Sequence, residues 1–134
     1  MKGTYILIIN LPDNITLSPG KLGSINFLKG YYAYVGSAMN GLENRIDRHL
    51  RNNKKMFWHI DYLLKKGDIK RIYYEKNDHK LECEHANKLS SYFTYIPNFG
   101  SSDCNCKSHL FYTNSEMEFY DVIEKSGFVE YHKY

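Results

Sequence analysis

A chain of 134 residues can form one compact domain and bury a real core without disulfide staples, and 43% hydrophobic with 25% charged residues excludes a disordered tail. The net charge of +3 is mildly basic, which permits a nucleic-acid partner without demanding one. There is no apolar run of about 18–20 residues and no long apolar stretch of the signal-peptide kind, so no membrane partner and a cytoplasmic location are expected; an odd count of three cysteines does not suggest a secreted disulfide framework.

Thr4 to Leu11 is a continuous apolar run rich in isoleucine, bounded by Pro12-Asp13-Asn14, and reads as a buried strand followed by a turn. Ser18-Pro19-Gly20 marks another turn. Gly23 to Phe27 and Tyr31 to Val35 read as two more strands joined at Lys29-Gly30, so the N-terminal third is expected to form one antiparallel sheet. Ser37 to Gly41 then leads into a helix over Leu42 to Asn52, with Leu42, Ile46, His49 and Leu50 on one stripe. Phe57 to Lys65 reads as a second helix stopped by Gly67, Ile69 to Glu75 as a strand, and Leu81 to Phe93 as a third helix. After Pro97 the stretch 98–103 is loop by composition, His109 to Tyr112 is a short strand, and Glu116 to Lys125 a final helix. With no repeat, linker or low-complexity stretch, the pattern predicts one α+β domain over residues 1–134, a small antiparallel β-sheet flanked by helices.

Thirteen tyrosines are a heavy load for this length. Most are expected to fill half-buried strands, including those at Tyr73/Tyr74 and Tyr131/Tyr134, while some could present hydroxyls or ring faces to a nucleic acid.

Two short phrases bracket the N-terminal strands, Gly3-Thr4-Tyr5 and Tyr34-Val35-Gly36. Arg45 and His49 follow on one helix face, four residues apart, and a carboxylate comes later in Leu81-Glu82-Cys83-Glu84. Tyrosine or histidine can handle a proton, arginine can neutralise phosphate charge, and a carboxylate can hold a divalent metal, so the set suits phosphodiester cleavage. Taken singly, each has a plainer reading: strand aromatics, a solvated arginine, a core histidine, a helix-start carboxylate. Their order and spacing favour the functional one.

With Tyr34-Val35-Gly36-Ser37-Ala38, Trp58-His59-Ile60-Asp61-Tyr62, Glu82-Cys83-Glu84 and Ser102-Asp103-Cys104-x-Cys106-x-Ser108-His109-Leu110, the chain resembles the GIY-YIG nuclease superfamily, in its small stand-alone branch. The resemblance implies a GIY-YIG endonuclease-like fold and five catalytic residues, Tyr5, Tyr34, Arg45, His49 and Glu82. It implies that Tyr5 receives the proton of the attacking water while Tyr34 orients it. Arg45 would grip the scissile phosphate, His49 would assist proton transfer, and Glu82 would hold one Mg²⁺ or Mn²⁺. Glu82 and Glu84 lie two apart on the expected helix, so only one can face the site; Glu82 is taken, as the better match to the family's helix start. The chain departs from the family pattern in the 28 residues between Tyr5 and Tyr34, an inserted turn and strand, and in threonine and valine where the motifs have isoleucine.

Cys104-x-Cys106-x-x-His109, with Cys83 from the glutamate helix, forms a possible zinc set. Its spacing is tighter than the common knuckle, and the reading preferred here is that the cysteines are buried small residues while His109 caps or lines the site. Trp58 and Tyr62 are expected to share a face and pack in the core; His59 is expected to make a buried hydrogen bond. Arg48, Arg51, Lys54 and Lys55, next to Arg45, are expected to form a positive edge for a phosphate backbone. The expectation is therefore a divalent-metal-dependent endonuclease acting on DNA, with RNA not excluded, by direct attack of water. Its competitors are a nucleic-acid-binding module of the same fold that does not cleave, and a zinc-stabilised interaction domain.

Overall fold

A computed structural model describes residues 1–101 and 104–132. Ser102 and Asp103 of the cysteine phrase, and Tyr134, lie outside the described residues. The chain runs through strands β1 (Gly3–Leu11), β2 (Ile15–Leu17), β3 (Ile25–Phe27) and β4 (Gly30–Ala38), then helices α1 (Leu42–Leu50) and α2 (His59–Leu64). Strand β5 (Asp68–Lys76), helix α3 (Glu82–Ser90), strands β6 (Thr94–Tyr95) and β7 (Leu110–Thr113), helix α4 (Glu116–Lys125) and strand β8 (Val129–Glu130) complete it.

β1 is buried on both faces, as its isoleucine-rich run requires, and sits inside a six-stranded sheet of order β6-β7-β4-β1-β5-β8. Every pairing in that sheet is antiparallel, so the fold is α+β. Alternation of side chains across the strands divides the interior in two. Tyr5, Leu7, Ile9, Leu11, Tyr32 and Tyr34 face one core, shared with Leu42 and Ile46 of α1 and Ile60 and Leu63 of α2. Ile6, Ile8, Ala33 and Val35 face the other, shared with Ala86 and Leu89 of α3 and Phe119 and Ile123 of α4.

Residues 23–27 do not join the main sheet as expected. β4 has β1 on one edge and β7 on the other, so no edge remains for them; β3 pairs with β2 in a separate two-stranded sheet. The insert between the two tyrosine motifs is thus a small hairpin, and its Phe27 packs into the first core. Leu50, expected on the apolar stripe, is 38% exposed, because α1 ends there and the backbone becomes extended at Arg51. The second helix begins at His59 instead of Phe57. The Asp61 carboxylate accepts hydrogen bonds from the Phe57 and Trp58 N–H groups and holds them outside the helix, one half of a capping box. Trp58 therefore does not share a helical face with Tyr62, which belongs to neither core.

Candidate active site and candidate metal centre

The β1–β4 register sets Tyr5 opposite Gly36 and Leu7 opposite Tyr34, so the two tyrosines lie diagonally on one sheet face with ring centroids 6.5 Å apart. Both motif glycines are explained by close approach. A Cβ on Gly36 would collide with the Tyr5 phenol, and one on Gly3 would strike the Glu75 carbonyl of β5. Only a bare backbone at Gly36 lets the Tyr5 ring lie across β4.

α1 crosses this face and brings His49 down onto Tyr5, with 2.7 Å between the hydroxyl oxygen and Nε2. Burial lowers the His49 pKa to about 3, so the imidazole is neutral at ordinary pH; with its proton on Nδ1, Nε2 accepts from the phenol. His49 Nδ1 has no hydrogen-bond partner among the described residues. Burial likewise pushes the Tyr5 phenol above its ordinary range, opposed by the Arg45 charge, and pushes Tyr34 up with help from Tyr5 and Glu82. Arg45, one turn before His49, donates to the Ser37 carbonyl at 2.9 Å, and its guanidinium lies 4.5 Å from the centroid of the Trp58 ring.

The first turn of α3 reaches this group from the far side of the sheet. Glu82 is half-buried, and its charge raises both phenols; Glu84 is exposed. Tyr5, Tyr34, Arg45 and His49 are thus gathered around one end of β1 and β4, and Glu82 is near enough for its charge to act on both phenols. Tyr5 is 1% and Tyr34 7% exposed, so the rim of the site is made by Arg45, Trp58 and Glu82.

The basic residues near Arg45 divide into two groups. Arg48 is committed internally: its guanidinium donates two 3.0 Å bonds to the two Asp61 carboxylate oxygens and one to the Lys55 carbonyl, and it lies over the same indole at 4.3 Å from the centroid. Asp61 is fully buried; burial would raise its pKa, but the Arg48 hydrogen bonds and the Phe57 and Trp58 N–H groups hold it below the usual carboxylate value. Lys54 caps the end of α1 through the His49 and Arg51 carbonyls. Arg51 and Lys55 are exposed. An open cleft of about 460 Å³ between the end of α1 and the start of β5 is lined by His49, Arg51, Lys54, Lys65 and Lys66, and is positive in balance.

Beside Tyr34 lies a second constellation. The ligand atoms of Cys83, Cys104, Cys106 and His109 all lie within 4.8 Å of one another. His109 Nε2 is 3.5 Å from Cys104 Sγ and 3.9 Å from Cys83 Sγ. Zinc–sulfur bonds of about 2.3 Å and zinc–nitrogen bonds of about 2.0–2.1 Å at tetrahedral angles would separate S and N by roughly 3.6 Å. The four residues can therefore hold one metal ion, the ligand set that the cysteine and histidine spacing raised as a possibility. Burial pushes the Cys83 and Cys106 thiols above their ordinary pKa, each thiol influenced by its neighbours.

The loop carrying this group is tied to the tyrosine site. Val35 N–H donates to the His109 carbonyl and His109 N–H to the Phe99 carbonyl. Gly100, at φ +71°, sits between the Tyr34 ring and His109, and its N–H donates to His59 Nδ1 at 2.9 Å, the hydrogen bond expected of that histidine. Sequence reasoning missed Trp58 as the ring that two arginines contact and Asp61 as the anchor of α2. An aspartate at the third helical position is a capping signal that could have identified the latter.

The family model described as "Domain of unknown function DUF123" matches residues 4–128. No curated protein and no solved structure matches the chain.

Proposed function

The chain belongs to the DUF123 family, and we propose from its own residues that it is a divalent-metal-dependent endonuclease cleaving DNA by direct attack of water, similar to the GIY-YIG nucleases. The observation that carries this reading is the 2.7 Å contact of the Tyr5 hydroxyl with His49 Nε2, beside Tyr34, Arg45 and Glu82. A buried phenol with a raised pKa is a poor base alone. Paired with a neutral imidazole, it can take a proton from water while passing its own to Nε2, so no free phenolate forms. The negative phosphate entering beside His49 favours the imidazolium that results. As the water oxygen bonds to phosphorus and the scissile P–O bond breaks, Arg45 turns its planar fork to the added charge. Tyr34 orients the water from the neighbouring strand.

Glu82 supplies a hard oxygen donor, and a single carboxylate with substrate phosphate is a usual set for Mg²⁺ or Mn²⁺; the ion would neutralise charge on the leaving oxygen. The Cys83, Cys104, Cys106 and His109 group has soft donors in the number that zinc takes, so zinc is the ion assigned to it in this reading.

The burial of Tyr5 and Tyr34 favours a second reading, a nucleic-acid-binding module that does not cleave. Cleavage of labelled duplex, single-stranded and branched DNA with Mg²⁺ or Mn²⁺ separates them, comparing wild type with Tyr5→Phe and Glu82→Ala. Metal-dependent cutting abolished by both substitutions supports the nuclease. Binding that salt weakens, with no cutting of any substrate, replaces it with the binding module; RNA substrates in the same assay test the nucleic-acid class.

A further inference from the structure

The helix that carries Glu82 is badly started. The residue before it, Leu81, has no side chain that could accept from the exposed N–H groups of the first turn, and no side-chain cap is made there. α3 is held farther along, by Ala86 and Leu89 in the second core and by His85 Nε2 3.0 Å from a Glu75 carboxylate oxygen. Glu82 and Cys83 occupy the turn before these anchors. Without a side-chain cap, this turn depends on other contacts to hold the Glu82 carboxylate near the tyrosines, whose phenols its charge raises.

The adjacent residue ties this turn to another element. The Cys83 sulfur lies against the imidazole of His109, within the group formed with Cys104 and Cys106. Those three partners belong to the loop before β7, and that loop is fixed to β4 by the Val35–His109 hydrogen bond and to the Tyr34 ring through Gly100. A metal bound there closes a path from Tyr34, through the loop, to the residue next to Glu82.

We propose that a zinc ion bound by Cys83, Cys104, Cys106 and His109 is a positioning device: it replaces the missing cap of α3 and sets Glu82 opposite Tyr5 and Tyr34, so that the divalent-cation site at Glu82 is assembled only in the zinc-loaded protein. The ion does no chemistry on the substrate. The inference rests on Glu82 as the cation-binding carboxylate and on zinc as the occupant of the thiolate site. It makes two ions of different character interdependent, one soft-ligand and tightly held, the other hard-ligand and exchangeable.

The test reads binding, so it does not depend on finding the right nucleic acid. Purified full-length protein is expected to carry about one zinc per chain by metal analysis. Mn²⁺ titration, followed by loss of the free-ion paramagnetic signal, is expected to show one site that Glu82→Gln removes. Cys106→Ala should lose zinc and weaken Mn²⁺ binding at least tenfold, while Cys106→His, which restores a zinc donor, should keep it within threefold of wild type. Should Cys106→Ala fail to fold, wild type reloaded with Co²⁺ gives the same answer in a folded chain: saturating Mn²⁺ should perturb the visible Co²⁺ bands, and should not do so in Glu82→Gln. Protein that neither carries nor takes up zinc overturns the proposal at its base. Zinc bound with unchanged Mn²⁺ affinity in Cys106→Ala, or Co²⁺ bands indifferent to Mn²⁺, overturns the positioning role. An absence of cleavage, with the Mn²⁺ coupling present, counts against the nuclease reading alone.

Discussion

At the scale of single residues, the Tyr5–His49 pair carries two predictions, one for acid stability and one for the proposed chemistry. Because His49 titrates near 3 in the folded chain and near its ordinary value of about 6.5 when unfolded, the unfolded state binds the extra proton between those values. Stability therefore falls as pH drops from about 6.5 towards 3, with a slope of at most ~1.4 kcal/mol per pH unit from this group. Urea unfolding between pH 7 and pH 4 is expected to show that slope in wild type and a shallower one in His49→Gln; equal slopes would remove His49 as its source. In catalysis the same residue should leave no inflection near pH 6.5 in the rate profile. His49→Gln and Tyr5→Phe are each expected to slow cleavage by about 10²-fold or more, the scale of a lost proton-transfer partner. Glu84→Gln, at an exposed position, should cleave as wild type does.

Among elements, α1 and α2 are joined by one buried ion pair. Asp61 has a fully buried side chain, and Arg48 alone among the described residues supplies its cationic partner at salt-bridge distance. Removing the arginine leaves an uncompensated buried carboxylate, so Arg48→Ala should cost about 3 kcal/mol; the low end applies because the Phe57 and Trp58 N–H groups stay in place. The direction with pH follows from Asp61 being depressed in the fold: its contribution is present above the unfolded carboxylate pKa of about 3.9 and is lost as pH falls through the lower folded value. Thermal unfolding of Arg48→Ala against Arg51→Ala measures the difference, and equal melting temperatures would deny Arg48 its structural role. Gly36→Ala should also destabilise, by roughly 1–3 kcal/mol, since the added methyl must displace the Tyr5 ring from β4. Denaturant unfolding would detect it, and a neutral result would mean that the ring has room to move.

For the molecule as a whole, the antiparallel sheet separates two cores, and the Tyr5–Tyr34–His49 cluster sits on the face of the first, at one end of β1 and β4. The positive cleft beside His49 lies between the end of α1 and the start of β5. Duplex DNA laid on this basic edge would meet Arg51, which lines the cleft, and the exposed Lys55, and not Arg48, whose guanidinium is engaged with Asp61. Arg51→Ala and Lys55→Ala are each expected to lower the slope of log affinity against log salt by about 1, without changing sequence preference. Slopes unchanged in both variants would exclude this edge as the phosphate track.

The long elements were legible because a long run carries a signal: β1 and β4 as unbroken isoleucine-rich and tyrosine-rich runs bounded by turn residues, α1 as an apolar stripe at helical spacing. β2, β6 and β8 have only two or three residues and carry no period, so pairing partners alone define them. Even where a strand was legible, as at residues 23–27, its sheet was not, because the choice depends on which edges other strands leave open.

The candidate site divides in the same way. Arg45 and His49 share a face by helical spacing, which a sequence states outright, and the residue types name the chemistry. That Tyr5 meets His49, that Gly36 makes room for its ring, and that Arg48 is spent on Asp61 depend on packing between elements far apart in the chain. The cysteine–histidine group divides likewise: its four residues were named from the sequence, and their meeting was not. Cys104, Cys106 and His109 are close in sequence and suggest a ligand set, but Cys83 lies on another element and His109 is 26 positions away from it. A metal site needs atoms within a few ångströms of one point, and local spacing controls such distances only within one element; the meeting of α3 with the loop before β7 was decided by the tertiary structure.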